Sequence, residues 1–181
     1  MILPLLEGSR LYLRALVAED ADGDYPDWLN DQQVSAGNSH GVFPYSPEAA
    51  RQFIKQTATS RDALTLAIVL KDENRHIGNI ALQSIQSIYR SAELSILIGA
   101  HIAWGKGYGL EAARMLCAHG FARLNLHRIG CGTFSDNTAM QRLALALGMR
   151  KEGERREAAF KNGRFVNIVE FGMLRDEFKE S

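Results

Sequence analysis

The 181 residues predict an α+β domain: a mostly antiparallel central sheet of about seven strands, flanked by about four helices. Three observations carry this. Apolar or alternating runs of strand length recur throughout the chain, and helix-period segments fall among them irregularly, without a repeating βαβ rhythm. Near the C-terminus, Lys161-Asn162-Gly163-Arg164 joins two such runs, and Asn-Gly suits the tight turn of a hairpin.

In order, Arg10 to Leu16 alternates and reads as the first strand. Ala18 to Gln33 carries Tyr25, Trp28 and Leu29 and reads as a helix broken near Pro26. Gly37 to Pro47 is turn-rich. Ser46 then caps a helix with Pro47 at its first position, and Ala50, Phe53, Ile54 and Thr57 form its inner face. Leu64–Leu70 and His76–Ser84 are strands joined by the polar turn Asp72-Glu73-Asn74, and Ala92–Ile98 is the next. After a glycine-rich loop, Ala112, Ala113, Leu116, Cys117 and Phe121 repeat at helical spacing. His127–Thr133 is a short strand, a helix runs from Ser135-Asp136-Asn137 to Gly148, and Arg155–Phe160 with Phe165–Leu174 form the final hairpin. No repeat, low-complexity tract or linker divides the chain, so residues 1–181 read as one domain.

Composition narrows the function classes. Twenty-one basic residues balance twenty-one acidic ones, so no bulk attraction to nucleic acid or anionic membrane is expected. The start, Met1-Ile2-Leu3-Pro4-Leu5-Leu6-Glu7, lacks the basic opening and long apolar run of a leader, and no window has the length of a membrane span. Cys117 and Cys131 sit in apolar segments and read as small buried residues of a reducing compartment, so cytoplasm is the expectation. The five histidines show no metal-ligand spacing, and no metal is expected.

The feature with most chemical content is Trp104-Gly105-Lys106-Gly107-Tyr108-Gly109, lying between the strand Ala92–Ile98 and a helix. Glycines let backbone N–H groups approach a ligand, and a helix N-terminus favours anions, so this order suits a diphosphate. A Rossmann fingerprint would need glycine where Leu110 stands, and a P-loop would need Gly-Lys-Ser/Thr at the helix start. A ligand-free glycine turn is the plain alternative.

Taken as a whole, Ala92 to Gly148 resembles the coenzyme A-binding core of the GNAT N-acetyltransferase superfamily. The loop matches that family's Arg/Gln-x-x-Gly-x-Gly/Ala except at Trp104, and Asn137 followed by Leu147-Gly148-Met149 resembles its Asn-containing helix ending in Gly-Phe. Lys151 to Arg164 and Gly172 to Phe178 resemble the branch with ribosomal-protein N-terminal, polyamine and aminosugar acetyltransferases. The resemblance implies a GNAT-like fold and transfer of acetyl from acetyl-CoA to a primary amine. It implies a cofactor site of Leu97, Ile98, Gly99, Trp104, Gly105, Lys106, Gly107, Tyr108, Gly109, Leu110, Asn137 and Arg142, with a backbone N–H near an Ile98–Gly99 bulge polarising the thioester.

Acetyl transfer to an amine needs a held donor, a stabilised oxyanion and a proton acceptor. Glu93 is the leading base, since its spacing to Gly107 and Gly109 resembles that of the catalytic glutamate in the histone-acetylating branch; an ion pair with Arg90 or Arg14 is the plain alternative. The family's usual acid donors are replaced by Met140 and Ala144, leaving Tyr108, Asn137 or water, or a thiolate that leaves unprotonated. Asn137 equally well caps its own helix. The acceptor side is expected from Tyr25, Trp28, Asp31, His40, Phe43 and Glu157, groups that suit a small-molecule amine, such as a polyamine or aminosugar, or a protein N-terminus. A non-catalytic acyl-CoA sensor is the alternative from another class. The apolar run Phe165–Leu174 suggests an open edge and a homodimer.

Overall fold

The computed structural model describes residues 3–179, so the ends of the expected 1–181 domain, including Met1 and Ile2, lie outside the described range. The strands are β1 (Leu6–Glu7), β2 (Leu11–Ala15), β3 (Leu64–Leu70), β4 (Arg75–Gln86), β5 (Ser91–Ile98), β6 (Arg128–Phe134), β7 (Arg150–Lys161) and β8 (Arg164–Leu174). The helices are α1 (Tyr25–Asn30), α2 (Gln32–Ser35), α3 (Pro47–Thr57), α4 (Tyr108–Ala122) and α5 (Thr138–Leu147). All eight strands join one sheet in the order β1-β2-β3-β4-β5-β6-β8-β7. Every neighbouring pair is antiparallel except β5 and β6.

The mixed α+β class is as expected, with one more strand and one more helix among the described residues. The additional strand, β1, is only two residues long and so carries no periodic pattern; it exists because β2 offers it a ladder at Leu13 and Tyr12. The extra helix comes from Ala18–Gln33, which divides into a 3₁₀ turn, α1 and α2. Asp31 causes the last break: its extended backbone ends α1, and its carboxylate accepts the N–H groups of Gln33 and Val34 to start α2. The C-terminal turn is as predicted, with Asn162 and Gly163 both at positive φ. The expected edge is corrected. Phe165–Leu174 lies inside the sheet, between β6 and β7; the open strand at this end is the charged β7, a composition that discourages edge pairing.

The two faces of the sheet are occupied differently. A side chain added at Gly120 of α4 would meet Leu82 and Ile129, and one at Gly109 would meet Ile96, Ile98 and Leu143, so α4 and the start of the α5 packing lie on the face carrying these residues. Glu93, Ser95, Leu97 and Gly99 alternate onto the opposite face, where Trp28 of α1 presses on Gly99.

Beneath α1 lies a buried charged network. Arg14 donates twice to Asp20 (2.8 and 2.7 Å), and His76 Nδ1 lies 3.3 Å from the same carboxylate. Burial disfavours the Asp20 charge, but hydrogen bonds from Arg14, His76 and the Val17 N–H outweigh it and hold the carboxyl far below its usual range. The stabilisation is complete above the ordinary carboxylate value and is lost as pH falls from there toward the depressed folded value. Asp20→Asn leaves Arg14 buried without its partner and should destabilise the fold by about 3–5 kcal/mol in urea unfolding. The acid-side loss of stability below about pH 4 should flatten in that variant.

Candidate active site

The site is a split in the sheet. β5 and β6 pair only over Ser91–Glu93 against Arg128–Gly130, and the remainder of β5 runs on without β6 beside it. At the far end of β5, the Ile77 carbonyl accepts from both Gly99 N–H (2.9 Å) and Ala100 N–H (3.1 Å). Two donors on one acceptor make a bulge. It lies one residue beyond the expected Ile98–Gly99 position, and it commits the Gly99 N–H to the sheet. Ile98 faces the other way: its carbonyl accepts the Trp104 indole N–H at 2.8 Å. N–H and C=O of one strand residue point to the same side, so the Ile98 N–H faces the split, together with the backbone of Ile96 and the Leu94 carbonyl. Unpaired polar backbone at a sheet split is a surface for an extended, hydrogen-bonding ligand.

The glycine loop borders this split. Gly105 (φ 71°) and Gly107 (φ 78°) are left-handed, which is why glycine is needed at both. Gly107 is the N-cap of α4 and offers no side chain, so the first N–H groups of the helix have no internal partner and can take an anion. Gly109 allows close approach of α4 to Ile96 and Leu143, while Leu110 packs against the core. Lys106 and Arg142 are exposed. Trp104 is fixed by stacking on His101 (centroids 4.3 Å apart), whose Nε2 lies 3.1 Å from Asp31 Oδ2.

Arg10 was not anticipated as part of this loop. Its Nη1 donates to the Lys106 carbonyl (2.8 Å), its Nε pairs with Glu111 of α4 (2.7 Å), and its guanidinium lies 4.7 Å over the Tyr108 ring. Some hundred residues separate it from its partners, so no local spacing reveals it.

Glu93 stands where the two strands part. Its carboxylate lies over Gly130, where an added Cβ would come within 2.8 Å of Oε1. Among the described residues nothing donates a hydrogen bond to it, and the expected alternatives are engaged elsewhere: Arg14 with Asp20, Arg90 with Asn125. Burial raises its pKa; Arg128 opposes this, and Glu170 and Glu152 add to it. Arg128 is itself paired with Glu152, and Arg155 with Glu170 (2.7 Å). Gly130, Gly132 and Gly172 lie on the same face, a shallow floor beside the carboxylate.

The other predicted residues divide. Tyr108 begins α4 under Arg10, close to the split. Asn137 is a helix cap, accepting from Met140 N–H (3.1 Å), and its amide also donates to the Gly37 carbonyl (2.9 Å). Both ends of the side chain are thus used, tying the 37–41 loop to the head of α5. Ala144 is fully buried, and neither it nor Met140 offers a proton. Tyr25 and Trp28, expected to meet an acceptor, are 4% and 6% exposed and pack in the core. Asp31 is committed to capping α2 and to His101. His40 and Phe43 are exposed on their loop, and Glu157 is exposed on a bulge of β7, its N–H held by Asn167 (2.8 Å). Lys161 Nζ draws the hairpin tip to that loop through the carbonyls of Ser35 and Asn38 (both 2.8 Å). Burial pushes both thiols, Cys117 and Cys131, up to about 12, which leaves no nucleophilic cysteine. Among the described residues no cluster of His, Cys, Asp and Glu could hold a metal ion, and no helix is long and apolar enough to cross a membrane.

Residues 10–150 match the family described as the acetyltransferase (GNAT) domain. The chain belongs to the GNAT acetyltransferase family. It is 30% identical over 164 residues to the uncharacterized N-acetyltransferase YoaA of Bacillus subtilis, covering 88% of this chain and 90% of that one. Spermidine N(1)-acetyltransferase of Escherichia coli is 26% identical over 110 residues, 61% of this chain and 59% of that protein. The crystal structure of spermidine N-acetyltransferase from Vibrio cholerae, in complex with CoA and spermine, superposes with a TM-score of 0.85 at 24% identity, covering 94% of this chain and 98% of that one. The last is a likeness of fold. The family match includes Arg10, the split, Glu93, the glycine loop and Asn137, and leaves β8 outside it.

The contact that closes the GNAT split at its far end is testable. A Cβ at Gly99 would overlap the Trp28 ring, so Gly99→Ala should destabilise by about 1–3 kcal/mol or more. Combining it with Trp28→Leu should be less than additive in a denaturation double-mutant cycle, because the smaller side chain removes the overlap.

Proposed function

We propose that this chain transfers acetyl from acetyl-CoA to a primary amine of a small polycation, a polyamine, by direct attack, with Glu93 as the base. One observation carries the reading: a carboxylate with no hydrogen-bond donor among the described residues, its pKa raised by burial and by Glu170 and Glu152, where the strands part. A base that must be ionised to work, yet basic enough to receive a proton, is favoured by such surroundings.

The residues fit the donor. The unpaired backbone of Ile96 and the N–H of Ile98 suit the amides of an extended pantetheine arm, and the open N–H groups at Gly107–Leu110 suit a diphosphate. The chemistry then balances simply. The amine nitrogen forms a bond to the thioester carbonyl carbon, the carbon–sulfur bond breaks, and coenzyme A leaves as thiolate. An alkylammonium has a pKa near 10.4, about three units above neutrality, so its proton must be removed before attack, and Glu93 receives it directly or through water. The thiol's ordinary pKa near 8.5 makes the thiolate an adequate leaving group, consistent with the absence of a donor at Met140 and Ala144. Buried thiols at about 12 argue against an acetyl-cysteine intermediate.

For the acceptor, the spermidine acetyltransferases among the relatives and the acids on the Glu93 face (Glu93, Glu152, Glu170) favour a polyamine over an aminosugar or a protein N-terminus. A multiply charged amine gains from several carboxylates at once, while an aminosugar offers one charge. The reduced cysteines and cytoplasmic location expected from the sequence belong to this same reading, while the homodimer loses the open β8 edge on which it rested.

Turnover of spermidine, glucosamine and an N-terminal peptide, followed by thiol release, tests the proposal. Spermidine should be used best; preference for glucosamine or the peptide would reassign the acceptor, and binding of acetyl-CoA with no turnover of any amine would favour the sensor. Glu93→Gln should lower kcat by about a hundredfold or more while the Kd for acetyl-CoA stays within twofold. In the wild type the acid limb of kcat/KM should lie above the ordinary glutamate value of 4.5, and that limb should disappear in the variant.

A further inference from the structure

The glycine loop contains a feature that its anion-binding chemistry makes awkward. Glu111 lies in the first turn of α4, whose open N–H groups are the part of the loop suited to a diphosphate. A carboxylate there stabilises the helix, but it sets a negative charge close to where an anion would bind. This charge is answered from the other end of the chain. Glu111 accepts from Ser9 Oγ (3.1 Å), Arg10 N–H (2.9 Å) and Arg10 Nε (2.7 Å). The same guanidinium continues to the loop, donating to the Lys106 carbonyl (2.8 Å) and lying over Tyr108. Its Nη2 is 3.5 Å from where a Cβ would stand on Gly107. One side chain therefore touches Glu111 and three consecutive residues of the loop.

We infer that Arg10 is a positioning residue for donor binding, which cancels the Glu111 charge and pulls the Lys106 carbonyl outward so that the following amides face the diphosphate. The inference rests on the reading of this loop as the coenzyme A site. It also accounts for how the loop tolerates Trp104, where the resemblance leads one to expect Arg or Gln. Trp104 is occupied with Ile98 and His101, and the cation that organises the loop comes from β2's leading edge, not from within the loop. A planar fork is needed, since the contact to Glu111 and the contact to Lys106 diverge from a single side chain.

The experiment is calorimetry of the full chain with coenzyme A, wild type first, so that failure of the site reading is seen separately as no binding by folded wild type. Arg10→Gln should raise Kd at least tenfold. Arg10→Gln/Glu111→Gln should recover at least threefold of that loss, because the uncompensated carboxylate is gone. The loss of kcat/KM in Arg10→Gln should be at least tenfold greater with acetyl-CoA than with S-acetylpantetheine, which has no diphosphate. Should Arg10→Gln not fold, Arg10→Lys keeps the charge without the fork and should raise Kd about threefold. Overturning results are a Kd within twofold of wild type for the folded variant, no recovery in the double variant, or equal losses with both acyl donors.

Discussion

The molecule depends on a parallel pairing that stops after three residues. Antiparallel strands can stay together because a short turn joins them, whereas β5 and β6 are linked through the glycine loop and α4. Glu93 and Gly130 are the last pair, and beyond them β5 carries backbone groups directed at no strand. A soluble fold does not leave such groups idle in a cleft without consequence, because each would otherwise have to be satisfied by solvent or by a ligand. The split is held open from both sides: Trp28 braces the end of β5 through Gly99, and Asn137 with Gly37 ties a loop to the head of α5.

That geometry explains why so few side chains are needed. On the proposed reading the donor side is mostly backbone: the strand edge at Ile96 and Ile98, and the amides opening α4. Such groups do not depend on the side chains at Met140 or Ala144, so the lack of a proton donor there leaves this backbone in place. On the same reading the acceptor side is where side chains matter, and there the glycines of β6 and β8 leave room beside the Glu93 carboxylate. Among the described residues Glu93 has no hydrogen-bond donor, because Arg128, the cation whose charge reaches it, is paired with Glu152.

The sequence disclosed what depends on local pattern. The strand runs, the Ser46-Pro47 cap, the Asn162-Gly163 turn and the glycine loop were all legible because propensity, capping and positive φ act over a few residues. What stayed hidden depends on partners far away in the chain. Tyr25 and Trp28 look like acceptor contacts as an aromatic pair near a break; only the fold reveals that the Arg14–Asp20–His76 network turns them into a bracing wall. Asp31 is chemically apt for an amine, but a local cap and His101 use it. The interior position of Phe165–Leu174 follows from the sheet order, which no single strand encodes.

Asn137 shows how one residue can satisfy two readings that seemed to compete. Capping takes its carbonyl oxygen, the tie to Gly37 takes its amide nitrogen, and together they fix the 37–41 loop against the head of α5. The loop is held a second time by Lys161, whose ammonium gathers the carbonyls of Ser35 and Asn38 from the hairpin tip. A segment with glycines at 37 and 41 and exposed Val42 and Phe43 would have little packing of its own to order it. It is ordered instead by two side chains from separate elements, the head of α5 and the end of β7, both on the β6 side of the split. The segment that follows α2 is thus held by the β6 half of the sheet, while α1 just before it braces β5 through Trp28 and Gly99, so one stretch of chain joins the two sides of the split.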